Sequence, residues 1–190
     1  MPGRLAVSLD AFELPPGCRV RPARPDDAEA VGRIRVAAWQ AAYRGVMPDD
    51  YLDAMEAGAR LDGLRSRLAA PGPAFRVLAG ELDGAMQGFI IIGTPRFDTA
   101  AAVAELCALN LAPAAWGRGL GQALIAAGLD AARGDGAQRM GLWCIEANTR
   151  ARRCYERAGF AAGGARRTTD DLTGHPLTEV DYWRNLQSLL

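Results

Sequence analysis

The sequence contains no lysine: its 22 basic residues are all arginine, and 22 acidic residues balance them, so the formal net charge is zero. This balance gives no electrostatic reason to expect a nucleic-acid partner or an anionic membrane surface. The absence of lysine also excludes a Walker A loop, in which a lysine reaches the phosphates. No apolar stretch approaches the ~18 residues of a membrane helix. Because no signal-peptide pattern is present either, we predict a cytoplasmic protein.

Histidine and cysteine are too few and too scattered for a metal site. The chain has one histidine, His175, and four cysteines without CxxC spacing, so we predict no bound metal. Apolar runs or a predicted helix surround most of the cysteines, which favours buried free thiols and a reducing compartment. The four cysteines are Cys18, Cys107, Cys144 and Cys154.

The length and the apolar content predict one folded domain. The chain has 190 residues, of which 49% are apolar, and this suits a single hydrophobic core. Pro15-Pro16-Gly17 interrupts the pattern near the start, so we predict an N-terminal extension over residues 1–17 and a single domain over 18–190.

Hydrophobic periodicity predicts an α/β fold. Asp26 and Glu29 are spaced as a capping box before the first helix, and Asp83-Gly84 is a hairpin turn signal. A strand-helix-strand step in the second half implies one parallel crossover. We therefore expect a mixed, mostly antiparallel sheet of about six to seven strands with helices on both faces. The predicted strands cover 18–23, 75–82, 86–92, 103–111, 139–145, 161–168 and 178–183, and helices begin near residues 26, 48, 59, 119 and 148.

A glycine-rich turn follows the predicted strand 103–111 and opens the helix near residue 119. Gly117, Gly119 and Gly121 let the backbone approach a ligand closely, and a helix N-terminus attracts phosphate. The spacing does not match a dinucleotide fingerprint, because Leu124 occupies the place of the third glycine. The turn alone leaves two alternatives open: a phosphate site, or a connection that binds nothing.

Two segments together resemble a known family. Residues 116–121, Trp-Gly-Arg-Gly-Leu-Gly, resemble motif A of the GCN5-related N-acetyltransferases, Q/R-x-x-G-x-G/A, with Trp116 in place of the usual Gln or Arg. Residues 148–160 are similar to the family's N-x-x-A-x-x-x-Y-E-x-x-G-F. The resemblance extends over about residues 18–185 and implies a GNAT-type fold.

The resemblance implies that acetyl-CoA is the cosubstrate and that an amine attacks its thioester directly. It implies that Tyr155 protonates the leaving thiolate and that Glu105 accepts the proton of the amine. Water as the acceptor, a purely salt-bridged Glu105, and Glu146 as a weaker base remain alternatives. The acceptor would be a small-molecule or peptide amine, and we predict that Trp39 and Tyr43 wall its site, although aromatic residues on an amphipathic helix often belong to the core.

The resemblance also assigns residues to the cofactor. Backbone groups of the strand end would bind the acetyl and pantetheine groups, Asn148 would bind the pantetheine arm, and arginines would meet the phosphates. A homodimer is compatible with the sequence, and a non-catalytic acyl-CoA-sensing module on the same fold is the alternative to an enzyme. The predicted cofactor-binding residues are Leu109, Asn110, Leu111, Trp116, Gly117, Arg118, Gly119, Leu120, Gly121, Gln122, Asn148 and Arg152.

Overall fold

The computed structural model describes residues 13–72, 75–96, 102–171 and 173–187. Residues 1–12 of the predicted N-terminal extension lie outside the described residues. The strands are β1 (Cys18–Pro22), β2 (Arg76–Leu82), β3 (Ala85–Gly93), β4 (Val103–Leu111), β5 (Arg139–Ile145), β6 (Ala161–Thr169) and β7 (Leu177–Asn185). The α-helices are α1 (Ala28–Tyr43), α2 (Asp49–Asp53), α3 (Leu61–Ala69), α4 (Leu120–Gly134) and α5 (Thr149–Arg157).

The seven strands form one sheet in the order β1-β2-β3-β4-β5-β7-β6. Only β4 and β5 pair in parallel among these neighbours. Alternate residues of a strand point to opposite faces, and β3 shows both faces covered: Ile90 packs in the cluster that contains α4, whereas Phe89 packs against Val31 and Ile34 of α1. The predicted fold class is therefore confirmed.

The parallel strands β4 and β5 separate soon after they meet. Their pairing covers Val103↔Arg139 to Glu105↔Gly141, although β4 continues to Leu111 and β5 to Ile145. The register against β3 shifts between the pairs Ile92↔Leu106 and Ile91↔Ala108, so β4 contains a bulge, which bends a strand locally. The separation opens a gap in the middle of the sheet, and the candidate site lies there.

The start of the first helix corrects a sequence-based prediction. A 3-10 turn, Pro25–Asp27, precedes α1, so Asp27 and not the predicted Asp26 is the N-cap residue of α1, and its side chain makes no capping bond to that helix. The Asp27 carboxylate accepts a hydrogen bond from the Arg24 backbone at 2.7 Å. It also pairs with Arg21 at 2.7 Å, and this guanidinium lowers the pKa of Asp27.

The cysteines agree only partly with the prediction of buried thiols. Cys144 is buried and Cys18 and Cys154 are half-buried, but Cys107 is exposed beside the bulge of β4. Within the described ranges, no helix is long and apolar enough to cross a bilayer, and no group of three or more side chains is arranged to hold a metal ion.

Candidate active site

A cavity of about 360 Å³ lies where β4 leaves β5, bordered by α1, α4 and α5. It brings together segments that are far apart in sequence: the end of β4, the glycine-rich turn, and one face of α5. No aspartate or glutamate is among the described residues that line it. The lining residues are Ala38, Trp39, Ala42, Tyr43, Leu109, Asn110, Leu111, Ala115, Trp116, Gly117, Gly119, Gly121, Gln122, Asn148, Arg150, Ala151, Cys154, Tyr155 and Arg157.

The glycine-rich turn adopts a conformation that requires glycine at its last position before α4. Gly119 is the N-cap of α4 with φ 83°, a left-handed conformation that side chains disfavour. A Cβ there would lie 2.5 Å from Cγ of Pro15, in the N-terminal segment. A Cβ on Gly121 would instead lie 3.4 Å from Sγ of Cys154, an ordinary contact distance, so α4 and α5 pack closely at this position.

Helix α5 begins with a side chain that belongs to both the fold and the site. Oδ1 of Asn148 accepts from the Ala151 backbone at 3.0 Å, which caps the helix. Nδ2 of Asn148 donates to the Tyr43 hydroxyl at 3.1 Å. This second bond ties α5 to α1 across the cavity.

Tyr155 lies about two turns further along α5 and is almost fully buried, with 7% of its surface exposed. Its ring packs edge-on against Phe160, with ring centroids 6.1 Å apart. Burial raises the pKa of Tyr155 well above its ordinary value. Among the described residues, its hydroxyl has no hydrogen-bond partner, although the residue lines the cavity. The hydroxyl is therefore protonated and available to a ligand.

Helix α1 forms another wall of the cavity. Nε1 of Trp39 donates to Oδ1 of Asn110 at 3.1 Å, and the Trp39 ring meets the Tyr43 ring at 76° with centroids 5.5 Å apart. Burial, as the largest cause, raises the pKa of Tyr43 to about 12. Trp39 and Tyr43 therefore present fixed, uncharged surfaces to the cavity.

Four predicted site residues do not line the cavity. Arg152 donates to the Tyr182 hydroxyl at 2.9 Å and to the Glu146 carbonyl at 3.3 Å, on the other side of α5. Arg118 is exposed and pairs with Asp83 at 2.9 Å. Leu120 is fully buried in the main core, because it faces the sheet in the first turn of α4.

Glu105, the fourth of these residues, is fully buried. Arg96 covers it: its backbone N–H and its guanidinium donate to the carboxylate, with Nε and Oε1 2.8 Å apart. Glu146, the weaker candidate base, pairs with Arg166 at 2.7 Å. The structure thus holds both candidate bases in ion pairs.

Sequence analysis missed three polar residues of the cavity: Arg150, Cys154 and Arg157. They are spaced four and three residues apart, so they share one face of α5. The predicted site residues Asn148 and Tyr155, with Ala151 between them, already defined the face of α5 that lines the cavity. Helical spacing from these residues would have indicated the three that were missed.

Comparisons with known proteins identify the family. The Acetyltransferase (GNAT) family model matches residues 26–160, so the chain belongs to this family. The uncharacterised N-acetyltransferase YuaI of Bacillus subtilis is 29% identical over 129 residues, 68% of this chain and 72% of that protein. A mycothiol acetyltransferase of Sanguibacter keddieii is 35% identical over 157 residues, 80% of this chain but only 46% of that protein. The chain thus spans less than half of this second relative.

The comparison with solved structures agrees with the family match. The structure of yncA from Salmonella typhimurium, described as a possible acetyltransferase with its cofactor acetyl-CoA, superposes with a TM-score of 0.66 at 21% identity. The match covers 90% of this chain and 95% of that one. Family membership confirms the prediction that the chain is an enzyme of the N-acetyltransferase class.

Proposed function

We propose that this protein transfers the acetyl group of acetyl-CoA to a primary amine, with the reaction in the cavity between β4, α1 and α5. The observation that carries the proposal is the convergence on one cavity of the glycine-rich turn, the separated end of β4, and a buried tyrosine whose hydroxyl bonds to none of the described residues. Each of these three features meets one chemical need of acetyl transfer from a thioester.

The cavity suits the cofactor. The N-terminus of α4 offers unpaired backbone N–H groups that favour a pyrophosphate. The end of β4 past Glu105 has no partner in β5, so backbone groups of Leu109 and Asn110 can bind an extended pantetheine arm as a neighbouring strand would. Asn148 borders the same cavity. We assign the cofactor to this groove on that basis.

Tyr155 is the proposed general acid. A thiolate of the cysteine type has a pKa near ~8.5 and tyrosine near ~10, and burial raises the pKa of Tyr155 further. The phenol therefore keeps its proton at working pH and can donate it as charge develops on sulfur. Its hydroxyl has no competing acceptor among the described side chains.

The amine must lose a proton, and the proposed route runs through water toward Glu105. The Glu105 carboxylate is buried outside the cavity and bonded to Arg96, so direct contact with the acceptor amine would require Arg96 to move. A water chain requires no such movement. Trp39 and Tyr43 form the wall of the cavity that we assign to the acceptor.

The proposal is tested by measuring catalytic turnover. The purified protein is incubated with acetyl-CoA and a panel of acceptors, namely small-molecule amines, peptides with free N-termini and lysine-containing peptides, and release of the CoA thiol is followed. Thiol release that depends on one acceptor class supports the proposal. Binding of CoA without release for any acceptor would refute it and leave an acyl-CoA-binding module. A melting scan with CoA, NAD and ATP in parallel checks the choice of cofactor.

A further inference from the structure

The first position of the glycine-rich turn departs from the family pattern, and the structure shows what the replacement does. Trp116 stands where motif A usually has Gln or Arg. Its Nε1 donates to the Leu111 carbonyl at 3.0 Å, which fixes the indole against the end of β4. The guanidinium of Arg150 lies over the indole, with Cζ 4.3 Å from the ring centroid. Trp116 therefore brings no charge of its own to the turn but holds the charge of another residue.

Arg150 differs from the other arginines near the turn. Arg118 pairs with Asp83, and Arg152 binds the Tyr182 hydroxyl. Arg150 makes no hydrogen bond or ion pair with any other described residue, and it borders the cavity next to Trp116 and Gly117. An arginine stacked on an aromatic face keeps its N–H donors free at the edge of the guanidinium plane.

The charged residues that line the cavity indicate which group of a ligand would contact Arg150. Arg150 and Arg157 line the cavity, and no acidic residue does so among the residues that the structure describes. A cationic wall beside the N-terminus of a helix favours an anion. Guanidinium groups match phosphate oxygens with two parallel hydrogen bonds. The amine acceptor, in contrast, gains nothing from a positive neighbour.

We infer that Arg150, held over Trp116, binds the pyrophosphate of coenzyme A from α5, while the amides of the turn bind it from α4. The inference rests on the proposed function, because it assigns a residue to the cofactor of that reaction. Arg150 thereby takes the place of the polar side chain that the motif usually carries at position 116. The indole holds the guanidinium in place before the ligand arrives, which lowers the entropic cost of binding.

The experiment measures dissociation constants of CoA and of dephospho-CoA, which lacks the 3′-phosphate, for wild type and Arg150→Gln. It also measures kcat/KM with S-acetylpantetheine, which lacks every phosphate. We expect Arg150→Gln to raise both dissociation constants about 10-fold, or about 1.4 kcal/mol. The kcat/KM for S-acetylpantetheine should stay within about twofold of wild type, which shows that the catalytic groups remain in place. Arg33→Gln, on an exposed part of α1 away from the cavity, is the matched control and should change none of these values.

Two results would overturn the assignment of Arg150: unchanged dissociation constants, or a loss confined to CoA, which would place the contact at the 3′-phosphate. A wild-type protein that binds neither ligand would refute the proposed function itself, so the two failures are distinguishable. The role of Trp116 is tested by Trp116→Leu in both backgrounds. Trp116→Leu should raise the dissociation constant of CoA severalfold when Arg150 is present. In the Arg150→Gln background it should raise that constant little further. Equal losses in the two backgrounds would show that Trp116 does not act through Arg150.

Discussion

Tyr155→Phe separates the proposed acid from its structural surroundings, because the substitution deletes one hydroxyl and keeps the ring that packs on Phe160. General acid catalysis is typically worth 10²–10⁴-fold, or about 2.7–5.5 kcal/mol of barrier. We expect kcat to fall by about that factor. Because burial raises the pKa of Tyr155 well above its ordinary value, the hydroxyl of the wild-type protein stays protonated at neutral and mildly alkaline pH. The ratio of the two kcat values should therefore be constant from about pH 7 to 9.5.

The stability of this variant should stay close to that of wild type although its activity falls. Tyr155 lines the cavity and its hydroxyl makes no hydrogen bond to another described residue, so its removal breaks no bond within the described part of the chain. The free energy of unfolding of the unliganded Phe variant should therefore lie within about 0.5 kcal/mol of the wild-type value. Chemical denaturation of the unliganded proteins measures this difference.

Tyr182→Phe is the matched control. Its ring lies 6.4 Å from that of Tyr155, but its hydroxyl accepts from Arg152 and donates to Glu156, each at 2.9 Å. Loss of these bonds should lower the free energy of unfolding by about 1–2 kcal/mol and leave kcat near wild type. A Tyr155→Phe enzyme with near wild-type kcat, where single-turnover measurements show that chemistry limits the rate, would refute the role of the hydroxyl. Tyr155 would then only form a wall of the cavity.

Three further substitutions test other parts of the site. Gly119→Val places a side chain at φ 83° and against Pro15, so it should remove most of the about 2.7 kcal/mol of stabilisation that acetyl-CoA gives at 100 times its dissociation constant; an undiminished melting shift would contradict the phosphate site. Glu105→Gln should lower kcat most at low pH, where the amine is protonated, and an unchanged pH–rate profile would show that Glu105 only anchors Arg96. Asn148→Ala should cost about 1 kcal/mol of stability from the lost cap and also raise KM for acetyl-CoA; if only stability changes in denaturation and steady-state assays, Asn148 has no part in binding.

The sequence predicted the elements that carry strong local signals. The predicted bounds of β4 and β5 agree with the structure, because both are largely apolar runs, with Pro113 soon after β4 and Gly136 shortly before β5. Asn148 was predicted to start α5 and is its N-cap. The hairpin at Asp83-Gly84 also occurs as predicted, with positive φ at both residues.

The sequence could not predict which polar groups pair with one another. Glu105 was chosen as a base from its place in β4, but its partner Arg96 is on the β3–β4 connection and meets it only in the folded sheet. Arg152 was chosen over Arg150, although they differ only in the side of α5 that each occupies. Side-chain pairing across a fold depends on register and helix phase, and neither is contained in a short motif.

Unused hydrogen-bonding capacity marks the site more sharply than residue type does. Buried polar groups in folded proteins are almost always paired, and outside the cavity Arg152 donates to the Tyr182 hydroxyl. Inside the cavity, Tyr155 and Arg150 have the same functional groups but no hydrogen-bond partner among the described residues. The parallel edge of β4 past Glu105 is unpaired in the same place. The phenol can bond to a thiol, the guanidinium to a phosphate, and the unpaired strand edge to an arm that carries amide groups. Coenzyme A contains all three of these partners.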